Sequence, residues 1–365
     1  MSKGLPFRAE HVGSLLRPEG LKDARRRFAA RQIDRDDLTA IEDAAIIQAI
    51  AKQEEIGFHA VTDGEYRRSW WHLDFLEGLS GVEKYQMEGG MAFSGVNTKA
   101  EGVRVTAPIA FDGHPMVSHF KFLSAHTNRV AKQCIPSPSA LYGRRGREAV
   151  DHTVYPSIDR FWGDLGDTYR KAINAFVAAG CSYIQLDEVY LVMLCDDDYR
   201  RKVRDQGDDP DALAKIYGDL INAALADVPD DVTTAIHMCR GNFKSTFLGS
   251  GAYDTIASVL FDRINVDGYF MEYDTERAGG FEPLARLPKD RRAVLGIVSS
   301  KIGEPEAKDA IKARVYEAAR FASLDQLCLS PQCGFASTEE GNVIAKEQQW
   351  SKLRSVVRIA GEIWS

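Results

Sequence analysis

The 365-residue sequence has no apolar run long enough to span a bilayer, and its opening stretch "MSKGLPFRAEHVGS" has no apolar core of the signal-peptide kind. The first absence excludes an ordinary helical membrane anchor, and the second leads us to expect a cytoplasmic protein. Cysteine is scarce. Six thiols, at 134, 181, 195, 239, 328 and 333, are too few to form a disulfide scaffold of this size, and a reducing compartment leaves them free for metal. Positive charge is not in excess either: the net charge of -7 argues against nucleic acid or an anionic membrane as the main partner. No GxGxxG fingerprint follows any β-rich run, which lowers the dinucleotide-binding class. Solenoid-length repeats and low-complexity tracts are missing too, so order is expected nearly throughout, in one domain spanning 1–365.

What is present is a regular rhythm. With 44% hydrophobic and 27% charged residues, the chain can bury a large core. Residues 41–56 read as a helix with Ile46, Ala49 and Ile50 on one face, stopped at Gly57 and followed by a strand in "HAVTDGE". Residues 102–122 carry two β-rich runs around Asp112-Gly113, which predicts a β-hairpin excursion. From residue 168 onward helices and strands alternate, with strands in "CSYIQLDE", "VTTAIHMC", "DGYFMEYD", "RAVLGIVSS" and "LDQLCLSPQC". Helical stretches fall near 252–261, 276–288 (weak), 304–322 and 343–363. Repeated strand–helix units imply parallel strands with helices outside, and their number favours an α/β fold of the (β/α)8 TIM barrel type over an open doubly wound sheet.

Asp63, Glu65, Asp187, Glu188, His237, Cys239, Glu272, Ser299 to Lys301 and Cys333 all fall at or just past the C-terminal end of a predicted strand. In a barrel those ends form one face, where active sites are built. Any one of the carboxylates taken alone reads more readily as a helix cap or a solvated charge than as a catalytic group. His237 and Cys239 are two apart at a strand end, so they point the same way. Alone, they also fit a satisfied core histidine and a small buried hydrophobe. With Glu272 and Cys333 they make a nitrogen, two sulfurs and an oxygen, a set that suits Zn2+ better than magnesium or calcium. Cys328 is the rival thiol, but it lies in the apolar run "LCLS". Cys134, Cys181 and Cys195 read as structural.

At these residues the chain resembles the cobalamin-independent methionine synthase family, in its catalytic C-terminal half. "HVGS" at 11–14, "DGE" at 63–65, "IQLDE" at 184–188, "HMC" at 237–239, Glu272 and "PQCG" at 331–334 match in order over nearly the whole chain. "HMCRGN", "GIVSSK" and "LSPQCGFAST" look like the short, single-barrel branch. The resemblance implies zinc held by His237, Cys239, Glu272 and Cys333, activating a thiol for methyl transfer. It also implies that Ser14, Glu65 and Asp187 hold the amino acid end of homocysteine. The substrate thiolate would replace the glutamate on the metal, preserving one net negative charge.

The long enzymes of the family carry a histidine where this chain reads Ser299-Ser300-Lys301, so Lys301 joins Asp187 as a candidate catalytic residue. Their N-terminal half, which helps to hold a folate polyglutamate tail, has no counterpart here. The methyl donor is therefore open between methyltetrahydrofolate and a methylated corrinoid. Arg67, Arg68 and Arg240 keep open a sulfonate thiol such as coenzyme M, used by the related epoxyalkane transferases. A non-catalytic zinc-stabilised barrel is a further alternative. "GRRGRE" at 143–148 reads as a solvated loop, with a grip on an anionic tail as the alternative. "WWHLDF" at 70–75 reads as core or pocket wall.

Overall fold

The computed structural model describes residues 6–90, 92–93 and 96–364; the first five residues of the opening stretch lie outside it. Six strands form one parallel sheet in spatial order: Gln133–Pro136, Tyr183–Glu188, Thr233–Met238, Gly268–Glu272, Arg292–Val298 and Leu327–Pro331. Just before the first of them, Val130–Ala131 pairs in parallel with Ala60–Val61. The N-terminal segment completes the circle. Leu329 N donates to Arg8 O at 2.8 Å and Glu10 N to Leu329 O at 2.9 Å on one side. On the other side Leu15 N donates to Gly64 O at 3.0 Å and Thr62 Oγ1 to Gly13 O at 2.7 Å. Eight strand positions in chain order make the expected (β/α)8 barrel.

The strands read as near-continuous apolar runs because both of their faces are covered, by helices outside and by packed side chains inside. Val12, Ala60, Tyr183, Ala235, Phe270, Val294 and Cys328 form a buried cluster of their own. Cys328 is thus a core residue, as its apolar setting predicts. Residues two further along the same strands, Gln185, His237 and Glu272, share the inward face nearer the C-terminal ends.

The outer helices follow the expected rhythm. Arg35–Ile56 begins in a capping box between Asp34 and Asp37 and ends at Gly57, whose φ of 103° suits a left-handed helix stop. Ile158–Ala178, Pro210–Leu225, Lys308–Ala318 and Lys346–Ile363 bury apolar stripes against the barrel. The weak stretch near 276–288 forms only two short 3-10 turns, Glu276–Ala278 and Glu282–Arg286, interrupted by Gly279-Gly280. No helix among the described residues is long and apolar enough to cross a membrane.

One expectation is corrected. The excursion is a hairpin, but its arms are Ser80–Gln86 and Glu101–Ala110, paired antiparallel. The second run around Asp112-Gly113 is instead a helix, Pro115–Ala125. Pro115 is pre-set for a first helical turn, and His114 caps it by accepting from Met116 N. Phe120 and Leu123, three apart, are its buried stripe, and so the apolar pattern was helical. The "GRRGRE" loop is also more than a solvated charge run. Arg144 donates to Glu101 O at 2.7 Å, Arg145 reaches Tyr85 OH and Glu148, and Arg147 bonds Tyr155 O, so the loop braces the hairpin.

Candidate metal centre and its pocket

His237 ends an inward-facing strand, Cys239 follows two residues later, and Cys333 comes from the loop after Leu327–Pro331. Donor atoms of these three buried residues lie within 4.8 Å of one another. The two sulfurs are 3.6 Å apart. A tetrahedral ion about 2.3 Å from each of two sulfurs would hold them about 3.7 Å apart, so the spacing suits zinc. Neither ring nitrogen of His237 has a hydrogen-bond partner, although the ring is buried. An orphaned buried imidazole is costly unless something else binds it. The residues fit the metal.

Without a metal, the three groups hold one another through their charges. Contact with the Cys239 thiol, against the effect of burial, draws Cys333 well below the ordinary thiol range, while Cys239 is pushed well up by the same contact and by burial. Burial opposes the charged form of His237, but Cys333, Asp187 and Glu272 outweigh it and raise its pKa. Both shifts favour the charged forms, a Cys333 thiolate beside a protonated His237, and a bound metal ion would take the place of that proton.

Glu272 is not part of the group of three. Its carboxylate accepts from Arg240 N at 3.0 Å, and Lys301 Nζ stands 3.5 Å from Oε1. Arg240 and Arg277 each lie 3.9 Å from Oε2. Glu272 is fully buried, so these cations offset its desolvation. Lys301 also lies 3.8 Å from Asp274. Its positive charge favours the thiolate forms of both Cys239 and Cys333.

Ser14, Glu65 and Asp187 line one cavity with His237, Cys239 and Cys333, about 720 Å³ including its open mouth. Two glycines allow that approach. A Cβ on Gly334 would sit 2.0 Å from Ser14 Oγ, and one on Gly13 would sit 2.5 Å from Glu65 Oε1. Glu65 itself is left-handed at φ 58°, an uncommon state for a non-glycine residue. Asp63 supports it by accepting from Glu65 N at 2.8 Å, and Arg68 clamps its carboxylate. Burial and the nearby Glu65 raise the Asp187 carboxyl to about 7. The raised Asp187 carboxyl thus stands near a Glu65 carboxylate that Arg68 already pairs.

The opposite walls are apolar. Trp70, Trp71, Phe93, Phe243 and Leu248 line the mouth, as "WWHLDF" suggested for its tryptophans. Phe93, from the tip of the excursion, packs against Phe243 with ring centres 5.4 Å apart and the rings tilted. His72 is held neutral by burial and by Arg144 and Arg68, with its pKa lowered to about 3. Of the three arginines considered for a sulfonate, Arg67 pairs with Asp43 and Glu42, and Arg240 donates to Gly251 O. Arg68 is the one that lines the cavity, and it is bound to Glu65.

Sequence reasoning missed three contributors. Arg277 carries no signal in "ERAGG", and the clamp of Arg68 on Glu65, only three residues away, depends on the left-handed backbone of Glu65. Gln185, which donates to Asp187 Oδ1 at 2.8 Å, could have been found by its strand spacing of two.

A parallel (β/α)8 barrel with a His-Cys-Cys cluster under its C-terminal mouth defines a class of protein, and comparison gives the family. The chain belongs to the cobalamin-independent synthase family, whose catalytic-domain model matches residues 7–361. The uncharacterized protein YxjH of Bacillus subtilis is 48% identical over 361 residues, covering 98% of this chain and 95% of that one. A solved Listeria monocytogenes protein, provisionally called a vitamin-B12 independent methionine synthase, has a TM-score of 0.79 at 40% identity, covering 99% of this chain and 98% of its own. A Shewanella B12-independent methionine synthase in complex with selenomethionine shares the fold at a TM-score of 0.73 and 19% identity, covering 98% and 97%.

Proposed function

We propose that the chain, as one domain spanning 1–365, is a cytoplasmic zinc-dependent S-methyltransferase that makes methionine from homocysteine. The convergence of His237, Cys239 and Cys333, with both imidazole nitrogens unpartnered at the floor of an open pocket, carries this reading. Those three, with Glu272 as a fourth ligand, would hold zinc, which when bound supplies a deprotonated substrate thiol at neutral pH.

The chain's own groups do the rest. Glu65 and Asp187 receive the substrate ammonium, and Ser14 meets the same amino acid end. Lys301, between Glu272 and Asp274, offsets the negative charge gathered around the cysteines. It also gives the glutamate a partner when it is not a ligand. The tryptophan and phenylalanine walls exclude water from the sulfur and align the methyl donor with it. A sulfonate thiol such as coenzyme M fits less well, since Arg67 and Arg240 are committed to other partners and Arg68 to Glu65. A closed structural zinc site would need no acid-lined pocket above it.

The donor reading rests on one position. Lys301 stands where the long enzymes of the family carry a histidine. An amine leaving group needs a proton, whereas a corrinoid leaving group does not. The test is methionine formation from homocysteine with matched concentrations of methyltetrahydrofolate and a methylated corrinoid. We expect faster turnover with the corrinoid, abolished by chelation and restored by zinc. Equal or faster turnover with the folate would overturn the donor assignment, and activity that survives chelation would overturn the zinc reading.

A further inference from the structure

Below the acid pair, a polar chain runs through the barrel interior that the proposed reaction does not use. Glu10 and Lys132 are both wholly buried, with Oε2 and Nζ 3.4 Å apart. Tyr183 OH donates to Glu10 Oε1 at 3.1 Å. Lys132 Nζ donates to His11 O and, at 3.2 Å, to Gln185 Oε1, and it lies 4.8 Å from the Phe270 ring centre. Gln185 Nε2 then donates to Val12 O and to Asp187 Oδ1, both at 2.8 Å.

The direction of that amide is fixed by chemistry. An ammonium can only donate, so it holds the carbonyl end of Gln185. The NH2 end must then face Asp187 and Val12, where its two protons meet two acceptors. Turned end over end, the amide would set NH2 against an ammonium and its carbonyl against a carboxylate. A buried ion pair is seldom needed for stability alone, because apolar replacements often serve as well. What Lys132 adds is a fixed orientation, passed through Gln185 to one oxygen of Asp187.

We propose that Lys132 and Gln185 are positioning residues that aim Asp187 at the substrate ammonium and so make the site selective for thiols carrying an α-amino group. This rests on the reading that Asp187 receives the ammonium, and the test separates the two. Calorimetry on the zinc-loaded full chain would compare homocysteine with 4-sulfanylbutanoic acid, which differs only in lacking the amine. The unaltered protein should bind homocysteine about tenfold or more tightly than the analogue. In Gln185→Leu and Lys132→Met that preference should fall to about twofold or less, with affinity for the analogue and zinc content unchanged.

If the unaltered protein shows no preference, the ammonium reading fails. If it shows the preference and both variants keep it, the positioning role alone fails. Gln185→Met guards against a packing artefact of the leucine, since it is close to glutamine in length and equally unable to donate to Asp187. Loss of zinc in all three variants would mark the network as structural and overturn the proposal.

Discussion

The sulfurs of Cys239 and Cys333 lie 3.6 Å apart although 94 residues separate them in the chain. Nothing bonds them covalently, and both are buried under the same pocket. Cys239→Ser or Cys333→Ser should therefore cut zinc from about one per chain to well under half, since each removes one of the few soft ligands. Cys328→Ser should leave it unchanged, because that thiol packs in the barrel core. Elemental analysis of the purified variants decides between a ligand and its neighbour.

Asp187→Asn removes one charge without altering shape or touching the three convergent ligands. Homocysteine affinity should fall by about tenfold or more, as a charge-assisted hydrogen bond worth about 1.5–3 kcal/mol is lost, while zinc stays in place. Calorimetry beside a metal assay checks both halves of that statement. An unchanged affinity would remove Asp187 from the substrate site.

Much of the barrel was legible because its strands and helices carry different periods, and a buried parallel strand reads as an unbroken apolar run. Cys333 was separable from Cys328 because Pro331 and Gly334 announce a loop. Only the second run of the hairpin reads wrongly, for a local reason: Pro115 opens a helix, and a short apolar stripe such as Phe120 and Leu123 mimics a strand when only composition is weighed. The cations around Glu272 were beyond reach, since Arg240, Arg277 and Lys301 come from three separate segments.

Gly334→Ala tests how closely the loop of Cys333 is fitted to Ser14. The new Cβ would meet Ser14 Oγ at 2.0 Å, so loop or serine must move. Destabilisation of about 1–3 kcal/mol is expected, as for overpacking of a close-fitted interior. Homocysteine binding should weaken as well. Denaturant melts paired with calorimetry measure the two effects, and a variant indistinguishable from the parent in both would show that this contact is slack.

The central claim is that the substrate sulfur joins the cluster of His237, Cys239 and Cys333. X-ray absorption at the zinc edge of the zinc-loaded protein, recorded without and with homocysteine, tests it most directly. The account predicts two sulfur neighbours rising to three, with an oxygen neighbour lost as Glu272 gives way. A first shell that keeps two sulfurs when homocysteine is saturating would contradict it.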